Sequence, residues 1–367
     1  MGRPSTVDVD LAAVTANAAA LAAAAPGARL CAVVKADGYG HGAVAVARAA
    51  LDGGAEWLAV AMVEEGLELR DAGIDAPVLV LSEAASDMVA PAVAAGLTLT
   101  VYSAQSVDEV AAASPATVHL KVDTGMHRAG ADPADAVALA RRALDAGLVL
   151  GGTFTHLARA DEPGEPLTAA QLVAFEQVLA DLAAAGIDPG IRHAANSAGL
   201  LLHPAAHYDM VRAGIALYGI PPAADLDGTE HVAELVPALT LTSEVTTVRP
   251  LAAGEGVNYG HRWVAERDTV VAVVPVGYAD GVRRDYGLRG GEVLVGGVRR
   301  PVRGVVTMDQ LVVEVGDGPA VERGDEVVLL GWQGEEQVSA TEWAGRLGTI
   351  GYEVVCAFSA RLPRTQA

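Results

Sequence analysis

The sequence predicts an α/β fold in two parts, a (β/α)8 barrel of the TIM type followed by a smaller, mostly antiparallel β domain. Three observations predict it: short apolar, β-branched runs alternate with Ala/Leu helical patterns from about residue 30 to 215, the runs number eight, and the pattern changes after Pro221. The runs are 31–34, 57–62, 78–82, 97–102, 117–122, 150–155, 191–195 and 208–213. Between them, stretches such as Gly42–Leu51, Glu64–Ala72, Pro133–Ala146 and Thr168–Ala185 carry helical spacing, as parallel strands joined by right-handed crossovers require. Residues 8–28 read as a helix ahead of the barrel.

Beyond Pro221, Asp225–Glu230 is mostly polar, and from Leu241 the chain reads Leu-Thr-Ser-Glu-Val-Thr-Thr-Val. Later strands are expected near 269–276, 292–295, 311–315 and 326–330, the makings of an antiparallel sheet. Its single clear helix is Ser339–Leu347, with Ser339 as N-cap and Glu342 at capping-box spacing. The expected division is 8–233 for the barrel and 234–367, with residues 1–7, for the β domain.

At 367 residues and 51% hydrophobic, but only 4% aromatic, the chain must build its core from Ala, Val and Leu. A net charge of -21 repels phosphate backbones, which excludes nucleic acid and anionic membranes as partners, and an anionic ligand needs a locally basic pocket. Cys31 and Cys356 lie in apolar runs far apart and read as two buried free thiols, in keeping with a reducing cytoplasm. Met1–Asp10 holds no apolar core of signal-peptide length, and no stretch of about 20 strongly apolar residues suggests a membrane span.

In such a barrel the carboxyl ends of the strands carry the chemistry, and the polar residues fall there. The first run ends in Lys35-Ala-Asp-Gly-Tyr39-Gly-His41, the fifth carries Lys121-Val-Asp123 and leads to Arg128, the sixth ends at Thr155-His156, the seventh runs into Asn196-Ser197, and the eighth holds Arg212-Ala-Gly214-Ile215. Lys35 follows Cys31-Ala-Val-Val34, so partial desolvation would favour the neutral amine that Schiff-base chemistry needs; as a lone residue it fits a rim lysine equally well. The loops after the seventh and eighth strands are where barrels of this kind bind phosphate. Ser197 there also reads as a helix cap, Arg212 as the ion-pair partner of Asp209, His156 as a satisfied barrel histidine, and Lys121 as an unmodified lysine.

Val33–Gly42 closely resembles the pyridoxal-phosphate attachment segment of alanine racemases. Leu120–Arg128, Thr155–Ala158, Ala195–Ser197, Val211–Gly219, Val257–Gly260, Val276–Gly281, Met308–Gln310 and Gly351–Glu353 resemble that family's blocks in the same order, so the resemblance runs from about residue 7 to 364. It implies an isomerase that interconverts L-alanine and D-alanine through a pyridoxal 5'-phosphate external aldimine, supplying D-alanine for peptidoglycan.

The resemblance also implies roles. Lys35 would be the Schiff-base lysine and one base, and Tyr259 from the β domain of a partner subunit the base on the opposite face. Arg212 would meet the pyridine nitrogen, with His156 beside it; a guanidinium stays protonated, so that nitrogen should not be protonated. Tyr39, Asn196, Ser197, Gly214, Ile215 and Tyr352 would bind the cofactor, chiefly its phosphate. Arg128 would contact cofactor and substrate carboxylate, oriented by Lys121, which is carbamylated in many members. Met308 and Asp309 of the partner would complete the substrate end, while Tyr278, Ile350 and Tyr352 would narrow the approach. A head-to-tail homodimer with shared sites is thereby required, and no metal is expected.

Three positions depart from the family's usual pattern: His127 before Arg128, Thr307 where many carry Cys, and Asn258 where some carry Ser. None removes a proton-transfer group. Substrate range stays open at this point, with a broader racemase acting on serine or lysine, or one kept for resistance to a cyclic alanine mimic, as alternatives. A decarboxylase of this architecture would need a partner cysteine, and Cys356, the C-domain's only cysteine, reads as core.

Overall fold

The computed structural model describes residues 3–113, 115–230 and 232–366. The chain divides into two compact units: Ala12–Val236, and the segment up to Leu11 together with Pro237 onward.

The first unit is the barrel. Its strands are Arg29–Val33, Trp57–Val60, Val78–Val80, Thr98–Val101, Thr117–Lys121, Val149–Phe154, Ile191–His193 and Met210–Ala213. Each pairs in parallel with the next up to the seventh, and the eighth returns beside the first, Cys31 opposite Arg212 and Ala32 opposite Ala213. The gap between seventh and eighth is closed by Asp209 N–H donating to the Arg192 carbonyl and Arg212 N–H to that of Ala195. Near-continuous Val, Leu and Ala in these strands is what a sheet covered on both faces demands, and all four residues of Thr98–Val101, for example, are buried.

Helix Pro166–Ala184 is long and apolar enough, by length and composition alone, to cross a membrane, which departs from the expectation that no such stretch exists. Here it serves as a crossover helix, and its buried Gln171 donates to the His156 carbonyl and accepts from Ala158 N–H. The helix expected over 8–28 is shorter, Leu11–Ala24, because Thr6–Val9 is a strand of the other unit, its alternation burying Val7 and Val9.

In that unit Thr6–Val9 runs antiparallel to Leu239–Glu244, which continues to Glu326–Gln333 and Glu292–Val295. Further antiparallel pairs join Val298–Arg303, Leu311–Glu314, Thr269–Val274 and Thr247–Leu251, and among the described residues Arg364–Gln366 is the one parallel neighbour, beside Thr6–Val9. Helix Ala340–Leu347 is capped by Ser339 Oγ, which accepts from Glu342 N–H. The Glu342 carboxylate, however, pairs with Arg299 and Arg346 instead of completing a capping box, since two buried-edge guanidiniums attract it more strongly than one amide. A second helix, Gly351–Cys356, follows, so Ser339–Leu347 is not the unit's single helix. Cys356 ends it on the exposed side, which corrects the expectation of two buried thiols; Cys31 alone is buried.

Candidate active site

Lys35 emerges two residues beyond the first barrel strand, half-buried, at the start of an unusual turn. Ala36, Asp37, Gly38 and Tyr39 all have φ between 52° and 60°, so the chain makes a left-handed turn in which Gly40 N–H reaches the Ala36 carbonyl. For a residue with a Cβ this conformation costs on the order of 1–2 kcal/mol. Two carboxylates hold it: Asp37 accepts from Ala43 N–H, and Glu65 accepts from the amides of Ala36, Ala61 and Met62. The outcome is a buried Tyr39 beside Tyr218, ring centroids 4.9 Å apart.

Ser197 opens helix Ser197–Leu202, but Asn196 is its cap, accepting from Gly199 N–H. Relieved of capping, buried Ser197 Oγ accepts from Gly214 N–H at 2.9 Å and Ala216 N–H at 3.3 Å. A Cβ at Gly214 would fall 2.7 Å from Tyr39 Oη and 3.8 Å from Ser197 Oγ. Phenol, hydroxyl and bare backbone therefore share a cradle at the ends of the first, seventh and eighth strands, and only glycine leaves it open.

Arg212 is buried in the eighth strand and does not pair with Asp209, which Arg192 holds at 2.7 Å. Its guanidinium donates to His193 Nδ1 at 2.8 Å, to the Thr155 and Ala194 carbonyls at 2.9 Å each, and over 3.3 Å to His156 Nδ1. His193 in turn meets His119 Nδ1 at 2.9 Å. Burial, then the Arg212 charge, push the pKa of His156 and His193 well below the ordinary imidazole value and that of His119 down to about 3, so all three stay neutral acceptors. Burial likewise brings Arg212 down to about 10 and lifts the Cys31 thiol to about 12.

Lys121, buried at the end of the fifth strand, donates to the Leu81 carbonyl at 3.2 Å. Burial, followed by the charges of Arg212, Arg128 and Lys35, lowers it to about 8. Lys121, Arg212, Arg128 and Lys35 thus lie close enough for their charges to act on one another, a basic cluster inside an acidic protein. Asp123 organises the loop that follows: burial alone would raise its pKa, yet amides of Gly125, Met126, His127 and Arg128 donate to it and bring it below the usual carboxylate value. His127 has a φ of 56°, and Arg128 is exposed.

Two of the segments expected from the β domain lie together within their own unit. Tyr278 N–H donates to the Thr307 carbonyl and Ala279 N–H to that of Met308, so the Tyr278 and Met308-Asp309 segments lie side by side. Asp309 pairs with Arg361 at 2.6 Å. Tyr259 stands 73% exposed in a strained turn, with Asn258 before it at φ 56° and His261 two residues on at φ 40°. Asn258 Nδ2 donates to the Val305 carbonyl, which anchors that loop. Tyr278, Met308 and Ile350 are large apolar side chains left exposed as well, and Tyr352 lies on helix Gly351–Cys356.

Residues 9–222 match the family profile "Alanine racemase, N-terminal domain" and residues 238–366 "Alanine racemase, C-terminal domain". The chain belongs to the alanine racemase family. An alanine racemase of Symbiobacterium thermophilum is 50% identical over 99% of this chain and 97% of its own length. One from Thermobifida fusca is 46% identical over 97% and 96%. Among solved structures, the alanine racemase of the D-cycloserine producer Streptomyces lavendulae superposes with a TM-score of 0.93 at 40% identity, covering 100% of this chain and 98% of that one. Membership makes the chain an isomerase, and the family uses pyridoxal phosphate.

His193, His119, Glu65 and Gln171 support the site without having been singled out in the sequence, and Asp123, legible there as a polar strand exit, organises the loop that follows. The signals for His119 and Glu65 were faint: a polar residue inside an apolar strand, and one glutamate among several on a helix.

Proposed function

We propose that the protein interconverts L-alanine and D-alanine with pyridoxal phosphate, in the cytoplasm, as a source of D-alanine for peptidoglycan. The reading is carried by Lys35 standing at the end of the strand whose register partner bears Arg212, beside the Tyr39–Ser197–Gly214 cradle. That cradle suits a phosphate, and the neutral acceptors around Arg212 leave N–H groups of its guanidinium to face a ring nitrogen.

When bound, the cofactor supplies an electron sink for the pair left as the α-proton departs. Lys35 holds it and moves a proton at one face of the substrate Cα, and Tyr259 of the partner subunit moves one at the other. Removal on one face and return on the other inverts the centre. Tyr39, Asn196, Ser197, Gly214, Ile215 and Tyr352 would bind the cofactor; Arg212, a donor that accepts no proton, would face its ring nitrogen, with His156 beside the guanidinium. Arg128 orients the substrate carboxylate, while Met308 and Asp309 of the partner subunit close the substrate end.

The dimer is supported by the exposure of Tyr259, Tyr278, Met308 and Ile350 on one chain. Lys121 is suited to carbamylation: an amine brought to about 8 is partly neutral at neutral pH, and the resulting anion would offset Arg128 and Arg212. Activity of protein freed of carbon dioxide should then rise on adding bicarbonate.

The deciding experiment assays purified protein, loaded with cofactor, against both alanine enantiomers, serine and lysine. Alanine preferred by roughly an order of magnitude or more supports strict specificity; equal rates on serine or lysine would replace it with a broader racemase, and no racemisation would end the reading.

A further inference from the structure

We propose that His119 is a positioning residue: by accepting a hydrogen bond it fixes the tautomer of His193 and so the hydrogen bond that aims Arg212. The inference rests on the reading of Arg212 as the cofactor's ring-nitrogen partner.

The order of donors follows from chemistry. A guanidinium has only N–H groups to offer, so His193 Nδ1, 2.8 Å from Arg212, must be bare. A neutral imidazole then carries its proton on Nε2. That proton needs an acceptor inside the barrel, and His119 Nδ1 lies 2.9 Å away. His119 is therefore the Nε2–H tautomer, and its Nε2 is buried without a partner. The three side chains form a one-way line from Arg212 to His193 to His119. With the line reversed, two N–H groups would confront each other at Arg212.

The barrel is shaped around this line. A Cβ at Gly152 would strike the His119 ring at 2.6 Å, and one at Gly151 would come within 3.5 Å of its Nε2. The strand register also shifts between Val118 and His119, the kind of irregularity that re-aims a side chain. Phe154 stacks on His193 with centroids 4.6 Å apart, and the Arg212 guanidinium sits over the Phe154 ring at 5.3 Å. A histidine leaving one nitrogen unsatisfied in so specific a socket is poorly explained by packing, which phenylalanine would serve without that cost.

The test uses the full chain with ¹⁵N-labelled histidine, before and after loading with pyridoxal phosphate. Long-range proton–nitrogen correlations should show His193 protonated on Nε2 alone in both states. His119→Phe keeps a ring in the socket and removes the acceptor: His193 should shift toward the Nδ1–H form, the visible absorbance of the loaded protein should change, and kcat should fall roughly tenfold at constant KM. His119→Asn, with an oxygen near the place of Nδ1, should restore all three. A proton on His193 Nδ1 in the unaltered chain overturns the proposal, as does either tautomer or kcat left unmoved by His119→Phe. Should His119→Phe not fold, the unaltered chain and His119→Asn decide through the tautomer alone. Failure of the chain to racemise alanine would sink the functional reading and leave that spectrum standing.

Discussion

Arg212 donates to Nδ1 of His193 across 2.8 Å inside the barrel, and its other acceptors are carbonyls and a second neutral histidine. A buried cation so held depends on its fork: one arm reaches His193 and the other the Thr155 and Ala194 carbonyls. Lysine presents one point charge and cannot span both. Arg212→Lys should lower stability by about 2–3 kcal/mol, read from urea midpoints. A misplaced charge near the reacting centre should also cut kcat/KM on the order of a hundredfold.

The two proposed bases separate by phenotype. Lys35→Ala should abolish both the visible absorbance of bound cofactor and racemisation. Tyr259→Phe should retain the absorbance and lose abstraction from one enantiomer only, measured as exchange of the α-hydrogen in deuterated water from each enantiomer separately. Full two-way activity in either variant would sink the two-base scheme.

Glu65 takes three amides, two of them in its own helix's approach and the third on Ala36 in the left-handed turn. Glu65→Ala should therefore destabilise the chain by about 1.5–3 kcal/mol, since charge-assisted bonds to strained backbone are lost. Because the turn carries Lys35 and Tyr39, cofactor affinity should weaken as well, roughly tenfold in an absorbance titration. Glu65→Gln, with one acceptor oxygen, should fall between. An unchanged affinity would mean that the turn holds its shape without Glu65.

How far the sequence foretold this arrangement depends on range. Eight apolar runs announced eight strands because burial on both faces leaves a continuous apolar record, and Lys35, Arg212 and Gly214 were legible because they interrupt or end such runs. His119 was not, for its partner lies 74 residues on and only the register places them together. Asp8 and Val9 fall inside the expected helix yet end the strand Thr6–Val9, because four residues of alternation are too short to oppose the Ala-rich stretch behind them. Cys356 was read as core from its apolar neighbours, but Val354 and Val355 take the buried side of that short helix. The expectation for Ser197 as a cap failed by one residue, Asn196 holding the extended conformation that capping needs.

Gly214 tests the cradle directly. Gly214→Ala places a methyl 2.7 Å from Tyr39 Oη, so the melting temperature should fall by several degrees. In a Tyr39→Phe background the nearest atom becomes Cζ at 3.4 Å, ordinary contact, and most of the penalty should vanish. A double-mutant cycle on melting temperature reads the coupling. Additive effects would mean that the clash is relieved elsewhere.

The neutral histidines predict a specific response to acid. His119 has a pKa of about 3 in the folded chain, below its ordinary 6.5, and those of His156 and His193 are also well below it. Below pH 6.5 the unfolded chain thus binds protons that the folded chain does not, so stability is full above that pH and falls as the solution is acidified. Each such histidine contributes a slope of about 1.4 kcal/mol per pH unit once the unfolded state is fully protonated. Lys121 at about 8 and Cys31 at about 12 titrate outside the interval from pH 6.5 to 5, and Asp123, held below the usual carboxylate value, responds lower still. Urea midpoints across that interval should show the slope, and His119→Asn should remove one proton from it. A slope unchanged by the substitution would mean that His119 already takes up its proton in the folded barrel, which the line of donors from Arg212 forbids.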